Sequence, residues 1–237
     1  MKNVVIFGAS GHGSVVLDCI AKEGKYKPIG FLDSFKKKNT ELNGYKILGN
    51  EFDLKFLKDK HQIFGGIVAI GDNWTRKLVV DKILSIVPDF NFISVVHPKT
   101  TIGIGVDIGK GTVVMPGVTI NVNSTISDHC ILNTNSSLDH DGFMGDYSSL
   151  APNVCAGGNL ILGEGSAVCL GSNIIENIAI GRHTVIGAGS LVIGNVESHV
   201  LSYGAPAKKI KNRVAGEPYL SGKRNTSLVI PFAVNEI

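Results

Sequence analysis

His140 and the aspartate that follows it are the pair whose types and spacing most directly suggest chemistry. An imidazole of ordinary pKa, about 6.5, is largely neutral yet basic near pH 7, and an adjoining carboxylate can orient and polarise it. The chain has seven histidines, and taken alone a His-Asp pair is more often a solvated turn than a base. A second cluster, Gly8-Ala9-Ser10-Gly11-His12-Gly13, follows a β-branched apolar run and precedes an amphipathic stretch. Glycines there let backbone amides approach a phosphate at a helix N-terminus. The spacing is G-x-x-G-x-G, not the dinucleotide pattern G-x-G-x-x-G, so a tight strand-to-helix turn explains it equally well.

Composition narrows the setting of these residues. The 237 residues suffice for two small domains. A balance of 23 basic against 20 acidic residues gives no general pull toward nucleic acid or anionic membrane. Cys19, Cys130, Cys155 and Cys169 are widely spaced with no C-x-x-C pair, against a zinc knuckle or a disulfide framework. A reducing cytoplasm is the expected location. The first residues have too short an apolar run for a signal peptide, and no stretch approaches the roughly 20 apolar residues of a membrane span. With 29 glycines and only 18% charged residues, much surface per residue must be buried, as an oligomer would do.

The elements that position these residues fall into two halves. In the first hundred residues, strands are expected at residues 3–8, 28–33, 66–70 and 91–96. A helix follows the glycine turn, with Val15, Val16, Cys19 and Ile20 on its apolar side. Another follows Gly71, opened by Asp72 or Asn73, with Leu78, Val79, Ile83, Ile86 and Val87 at helical spacing before Pro88. Alternating strands and helices imply a small parallel α/β sheet.

From Ile102 the period becomes six. Sixteen consecutive positions from Ile102 to Val192 in steps of six are aliphatic, Ala156 the one small member. Four residues after them, twelve of the sixteen positions are Ser, Thr or Val. A six-residue repeat marks a parallel β-helix, each short strand pointing one aliphatic side chain into a triangular prism. Sixteen hexads make about five coils, a prism on the order of 25 Å long at roughly 4.8 Å per rung. The unbroken register leaves no long insertion, so function must sit on faces, edges or neighbouring subunits. His129 and His183 lie on outward positions and are read as ordinary surface residues; His97-Pro98 is expected to organise the domain junction.

The ladder resembles the left-handed β-helix acyltransferases. Gly8-Ala9-Ser10-Gly11-His12-Gly13, Ala69-Ile70-Gly71-Asp72-Asn73, His97-Pro98, Asn133-Thr134, His140-Asp141 and Gly204-Ala205-Pro206-Ala207-Lys208 occur in the order seen in the PglD/NeuD-like sugar acetyltransferases. The resemblance covers about residues 1–210. It implies an α/β Rossmann-like nucleotide-sugar domain (1–98), an all-β left-handed parallel β-helix (99–205) and a C-terminal extension (206–237). Residues 214–237, with Leu228-Val229-Ile230-Pro231-Phe232, run past the usual family ending and have no functional reading.

The resemblance further implies a homotrimer with acetyl-CoA as co-substrate between neighbouring β-helices, no metal, and a nucleotide-linked amino sugar as acceptor. His140 matches the family's base and Asp141 its acidic partner, and Asn133 matches an asparagine near the family's active site that would bind the sugar or help hold the catalytic pair. Asp141 stands where bacillosamine-pathway members carry Glu and perosamine-type members can carry Asp. Ser10, Gly11 and His12 would contact the nucleotide-sugar, Asp33 its base or ribose, with Lys36, Gly71 and Asn73 at the same pocket. Gly158 and Ala188 match small residues of the cofactor groove, although tight coils also demand small residues. Lys208, within the basic cluster Lys208, Lys209, Lys211 and Arg213, would meet CoA phosphates unless that cluster is simply an exposed tail.

The expected reaction is N-acetylation of the 4-amino group of a UDP-, GDP- or dTDP-linked amino-dideoxy sugar. O-acetylation of a sialic acid is the alternative within the transferases. Outside them stand a nucleotide-binding oxidoreductase, suggested by the glycine turn and Asp33, and a γ-carbonic-anhydrase-like zinc lyase, which needs three histidines at a subunit interface. A noncatalytic trimeric scaffold is the remaining reading.

Overall fold

The computed structural model describes residues 1–220. Its first half contains β1 (Lys2–Phe7), α1 (Gly11–Glu23), β2 (Tyr26–Leu32), β3 (Glu41–Leu42), β4 (Tyr45–Gly49), α2 (Leu54–His61), β5 (Ile63–Val68) and α3 (Asn73–Ile86). The sheet order is β3-β4-β2-β1-β5. β1 runs parallel to β2 and β5, and β3 folds back antiparallel on β4. Val4, Val5, Ile6 and Phe7 are all fully buried, as expected of a central parallel strand covered on both faces. The hairpin β3–β4 and α2 carry no long apolar run and were not expected from the sequence.

Two features anchor α1. Gly24 ends it in the left-handed region, φ 70°, with its N–H bonded to the Ile20 carbonyl. At the other end, a Cβ on Gly13 would stand 2.2 Å from the Gly8 carbonyl oxygen, so only glycine lets the helix rise this close to β1. In α3 the Asp72 side chain caps the Thr75 N–H. Its buried residues are Asn73, Arg76, Val80 and Ile83, whereas Leu78, expected on the apolar face, is exposed.

The strand expected at residues 91–96 is divided between two sheets. Phe92 bridges Gly66 of the α/β sheet, while Val95–Val96 form β6 and pair with Val113–Val114 of the prism. The first rung therefore lies upstream of the boundary expected at residue 98. Sixteen two-residue strands follow, β7 (Thr101–Ile102) through β22 (Leu191–Val192), each ending on one of the sixteen aliphatic positions. Every third strand pairs in parallel, 18 residues apart, as Ile120 pairs with Leu138. Three faces result: a first from β7 to β22, a second from β8 to β20, and a third from β6 through β9, β12, β15, β18 and β21. The third continues into β23 (Val200–Gly204) and the antiparallel β24 (Ala207–Asn212), past the end expected at residue 205.

Fourteen of the sixteen aliphatic residues are buried; Ile102, 43% exposed, and Ile108 at the N-terminal end are not. A terminal coil has a neighbour on one side only. Burial of each of the others except Ala156, whose side chain is a single methyl, contributes about 1.5–3 kcal/mol. Corners repeat as strictly as strands. Asn123, Asp141, Asn159 and Asn177 stack on one edge at φ 59°, 57°, 58° and 61°, a left-handed conformation that Asn and Asp tolerate better than most side chains. Buried hydroxyls link successive coils: Ser124 Oγ donates to the Asp139 carbonyl at 2.9 Å and accepts the Gly142 N–H at 3.1 Å.

Arg76 joins the halves. Fully buried, its guanidinium donates to the carbonyls of His129 (2.8 Å), Ile70 (2.9 Å), Gly71 (3.3 Å) and Tyr147 (2.9 Å) and to Asn73 Oδ1 (2.8 Å). His129, expected on the surface, is instead buried here, its ring between Phe92 and Tyr147. Residues of one edge of the prism, between second and third faces, thus receive the α/β domain. No helix among the described residues is long and apolar enough to cross a membrane. The segment Leu228 to Phe232 lies outside the described residues.

Replacing Arg76 by Ala removes five bonds and strips the carbonyls of His129, Ile70 and Tyr147 and the Asn73 amide oxygen of their Arg76 donors inside the junction, while the Gly71 carbonyl keeps its bond from Tyr219. The expected loss of stability is about 3–5 kcal/mol, checked as a lowered urea midpoint at unchanged far-UV circular dichroism in buffer.

Candidate active site

His140 sits on the turn between β13 (Ser137–Leu138) and β14 (Phe143–Met144), at the edge joining first and second faces. Its Nδ1 lies 2.7 Å from Asp141 Oδ2. With a carboxylate there, Nδ1 carries the proton and donates it, leaving the Nε2 lone pair free to accept one. That hydrogen bond, then the negative charges of Asp139 and Asp141, raise the imidazole pKa above its ordinary value. The reciprocal bond lowers that of Asp141. The turn holds the ring: Asp139 Oδ1 accepts the His140 N–H at 2.8 Å and the Asn121 side-chain amide at 2.8 Å. Asn123, one coil before, donates to Asp141 Oδ1 at 3.4 Å. Gly158, one coil beyond, leaves room for the ring; a Cβ there would stand 2.6 Å from His140 Nε2.

A second feature lies elsewhere, along the third face under the α/β domain. A cleft of about 590 Å³ is bounded by His12 and Gly71 of the α/β domain and by Asn133, Ser149 and Ala188 of the prism. Its size suits a small-molecule ligand. Among the described residues His12 Nε2 is buried without a hydrogen-bond partner. Burial, and secondarily the charge of Arg76, push the His12 pKa down to about 4, so the ring is neutral at physiological pH. Asn133 uses Oδ1 to accept the Thr134 N–H at 2.8 Å.

The glycine turn separates into two roles. Gly13 is demanded by packing, but a Cβ on Gly11 would meet nothing within 4 Å. The exposed N-terminus of α1 at Ser10 and Gly11 is thus open to approach, and Ser10, its N-cap, makes no side-chain capping bond. Asp33 ties two loops together: Oδ2 accepts the Ala9 N–H at 2.7 Å, and Oδ1 those of Phe35 and Lys36 at 2.8 and 3.0 Å. Lys36 is thereby held beside the turn, its side chain exposed.

Asn73, expected at the pocket, is buried in the junction: Nδ2 donates to the Ser166 carbonyl at 3.1 Å and Oδ1 accepts from Arg76. Both ends of its amide are occupied, so it anchors the pocket wall and does not line this cleft. The three residues expected to meet the cofactor stand apart in one chain. Gly158 lies at the His140 edge, Ala188 in the cleft, and Lys208 on exposed β24 beside a shallower hollow. Likewise His140 and Asn133 occupy different edges of the prism. Among the described residues, no group of three His, Cys, Asp or Glu side chains is placed to hold a metal ion.

Several site residues escaped the sequence. Asp139 is adjacent to His140 and could have been found from the Asp-His-Asp run. Arg76 and Tyr219 give no local signal. Tyr219, at the end of the described chain, places its phenol at the α/β domain, donating to the Gly71 carbonyl and accepting the Asn73 N–H, each at 3.3 Å.

Comparison with known proteins gives consistent results. Residues 3–83 match the model of the PglD N-terminal domain family. UDP-N-acetylbacillosamine N-acetyltransferase of Bacillus subtilis (strain 168) is 33% identical over 115 residues, 48% of this chain and 52% of that protein. The match thus spans about half the length of that relative. GDP-perosamine N-acetyltransferase of Escherichia coli O157:H7 is 26% identical over 191 residues, 78% of this chain and 82% of that protein. The crystal structure of a histidine-to-asparagine mutant of perosamine N-acetyltransferase from Caulobacter crescentus, in complex with CoA and GDP-perosamine, superimposes with a TM-score of 0.84. It is 30% identical, over 90% of this chain and 98% of that one. An α/β domain matched by the PglD model, a hexapeptide prism of this shape and full-length likeness to that structure agree: the chain belongs to the PglD/NeuD-like sugar acetyltransferases, built on the left-handed parallel β-helix.

Proposed function

We propose that this chain is an acetyl-CoA-dependent N-acetyltransferase that modifies the 4-amino group of a nucleotide-linked amino-dideoxy sugar, with His140 as general base. The observation that carries the reading is the 2.7 Å contact from His140 Nδ1 to Asp141 Oδ2, which leaves Nε2 as acceptor above the gap at Gly158. Amine attack on a thioester forms a C–N bond and expels a thiolate. The attacking nitrogen must lose a proton, and the departing sulfur can take one. A neutral imidazole held by a carboxylate can do both in turn, and Asp141 stabilises the imidazolium between the two steps.

The acceptor occupies the cleft, its diphosphate toward the open α1 N-terminus at Ser10 and Gly11 and its sugar toward His12, Gly71 and Asn133. Asp33 acts by setting the loop that carries Lys36. Acetyl-CoA fits between neighbouring prisms, where Gly158 on the His140 edge of one chain and Ala188 in the cleft of the next leave room beside the backbone, with Lys208 available to its phosphates. The GDP-perosamine and CoA held by the Caulobacter relative support this pairing of substrates.

The working form is a homotrimer. In one chain His140 and the cleft lie on different edges of the prism, and a neighbour set edge to edge brings a second chain's His140 to the first chain's cleft. A heterologous contact of this kind forms a ring when its rotation closes, and a ring of three copies has three equivalent sites. The cytoplasm is the proposed location, where Cys19, Cys130, Cys155 and Cys169, all unpaired, stay reduced.

Free-thiol assay of CoA release from acetyl-CoA, with UDP-, dTDP- and GDP-linked 4-amino-4,6-dideoxy sugars, tests the reaction. One nucleotide series is expected to turn over, and His140→Ala to reduce kcat by roughly 10²–10⁴-fold; silence across the panel refutes the reading. Because the base must be unprotonated and its pKa is raised, wild-type kcat should fall as pH drops through a value above the ordinary histidine pKa. Asp141→Asn should move that acid limb to lower pH and reduce the plateau. Shared sites make a further demand. Mixing unfolded, inactive His140→Ala and Asn133→Ala chains and refolding them together should restore activity that neither shows alone.

A further inference from the structure

After β24 the chain does not leave the prism. Residues 213–220 return across the junction to the α/β domain. Arg213 is buried, its guanidinium donating to the Glu217 carbonyl, while the Glu217 carboxylate pairs with Lys211. The turn this makes brings Gly216 against the indole of Trp74; a Cβ on Gly216 would stand 2.7 Å from Trp74 Nε1. Beyond it, Tyr219 is fastened to the α/β domain through Gly71 and Asn73, and it lines the cleft together with Ser149 of the third face. Leu220 ends 3.5 Å from where a Cβ on Gly71 would be.

This strap does more than tie two domains. Glu217, Pro218, Tyr219 and Leu220 bound the same cleft as His12, Gly71 and Asn133. The phenol is bonded to the backbone of the loop before α3, and the cleft it lines is closed on the other side by Ser149 and other residues of the prism. A purely structural strap would fill the space between the domains. Among the described residues the cleft stays open, and beside it His12 Nε2 is buried with no partner, a position a ligand hydroxyl can satisfy.

We infer that residues 217–220 are a wall of the acceptor cleft, and that Tyr219 is a positioning residue whose ring sets the cleft's width and so its fit to the nucleotide-linked amino sugar. This rests on the proposed acetyl transfer for the identity of the ligand. It predicts an effect on acceptor affinity separate from that on acetyl-CoA, because the strap lies at the α/β side of the cleft whereas Gly158 and Ala188, the small residues assigned to acetyl-CoA, belong to the prism. Removing the ring widens the cleft and forfeits its contacts with the sugar. Removing only the hydroxyl leaves the wall in place.

Calorimetric titration of the intact protein tests this, with GDP- and UDP-linked 4-amino-4,6-dideoxy sugars and, separately, acetyl-CoA, each without its co-substrate. Tyr219→Ala should weaken amino-sugar binding about tenfold with acetyl-CoA affinity unchanged, and Tyr219→Phe should stay within about twofold of wild type. Tyr219→Leu, which keeps an apolar side chain over the junction, carries the expectation of Tyr219→Ala should that variant not fold. Trp74, the single tryptophan of the chain, reports through its emission whether the strap remains seated. Unchanged amino-sugar affinity in the Ala or Leu variants, an equal loss for acetyl-CoA, or no amino-sugar binding by the wild type overturns the inference. Binding without CoA release refutes the proposed reaction and leaves the wall standing.

Discussion

A buried positive charge with no negative partner among the described residues determines how the two halves of this protein meet. The acceptors of the Arg76 guanidinium are all neutral: four backbone carbonyls and the Asn73 amide oxygen. Taking a cation out of water costs several kcal/mol, and each bond offsets a part of that cost only when its geometry is good. The arrangement is therefore selective. The carbonyls of His129 and Tyr147 come from left-handed turn residues on successive coils, φ 57° at both, and those of Ile70 and Gly71 from the loop before α3. A displaced α/β domain would break several bonds at once. The cleft between His12, Gly71 and the third face inherits its shape from this junction, and the depressed basicity of His12 derives in part from the same charge.

The prism supplies the second constraint. Because coils stack at a fixed interval of 18 residues, each edge offers a column of equivalent turn positions whose backbone is set by neighbours above and below. A side chain that tolerates the turn can be changed without disturbing the coil. Asp141 performs two tasks there: it occupies the left-handed slot held by Asn in adjoining coils, and its carboxylate holds the His140 ring. Column neighbours complete the arrangement, Asn121 and Asn123 on one side and Gly158 on the other. A repeating scaffold thus carries a nonrepeating pair at no cost to its core, since Leu138 and Met144 on either side remain fully buried.

The same regularity explains why the proposed site is divided. A prism filled with aliphatic side chains has no interior to offer a ligand. Binding must use an edge, a face covered by another element, or a neighbouring chain. Here the α/β domain and the strap cover the third face and leave a cleft, while the base stands on another edge. Combining them requires a second copy, so oligomer formation and acetyl transfer are one requirement in this proposal.

Much of this protein was legible in the sequence because the physics involved is local or periodic. One inward side chain every six residues is a packing condition, and the ladder from Ile102 to Val192 displays it directly. The His140-Asp141 pair was legible because its partners are adjacent in the chain, and the glycine turn because Gly13 must clear Gly8. What the tertiary structure alone decided joins distant segments. The strand expected at residues 91–96 was divided between two sheets by the geometry of the crossing. His129, on an outward position of the repeat, was buried because another domain happens to cover that edge. Asn73 was drawn from a pocket into a junction, and Tyr219 meets Gly71 across 148 residues of chain. No spacing rule records such contacts: they depend on where two independently determined surfaces come to rest, and a buried guanidinium with five acceptors selects that position only once both surfaces exist.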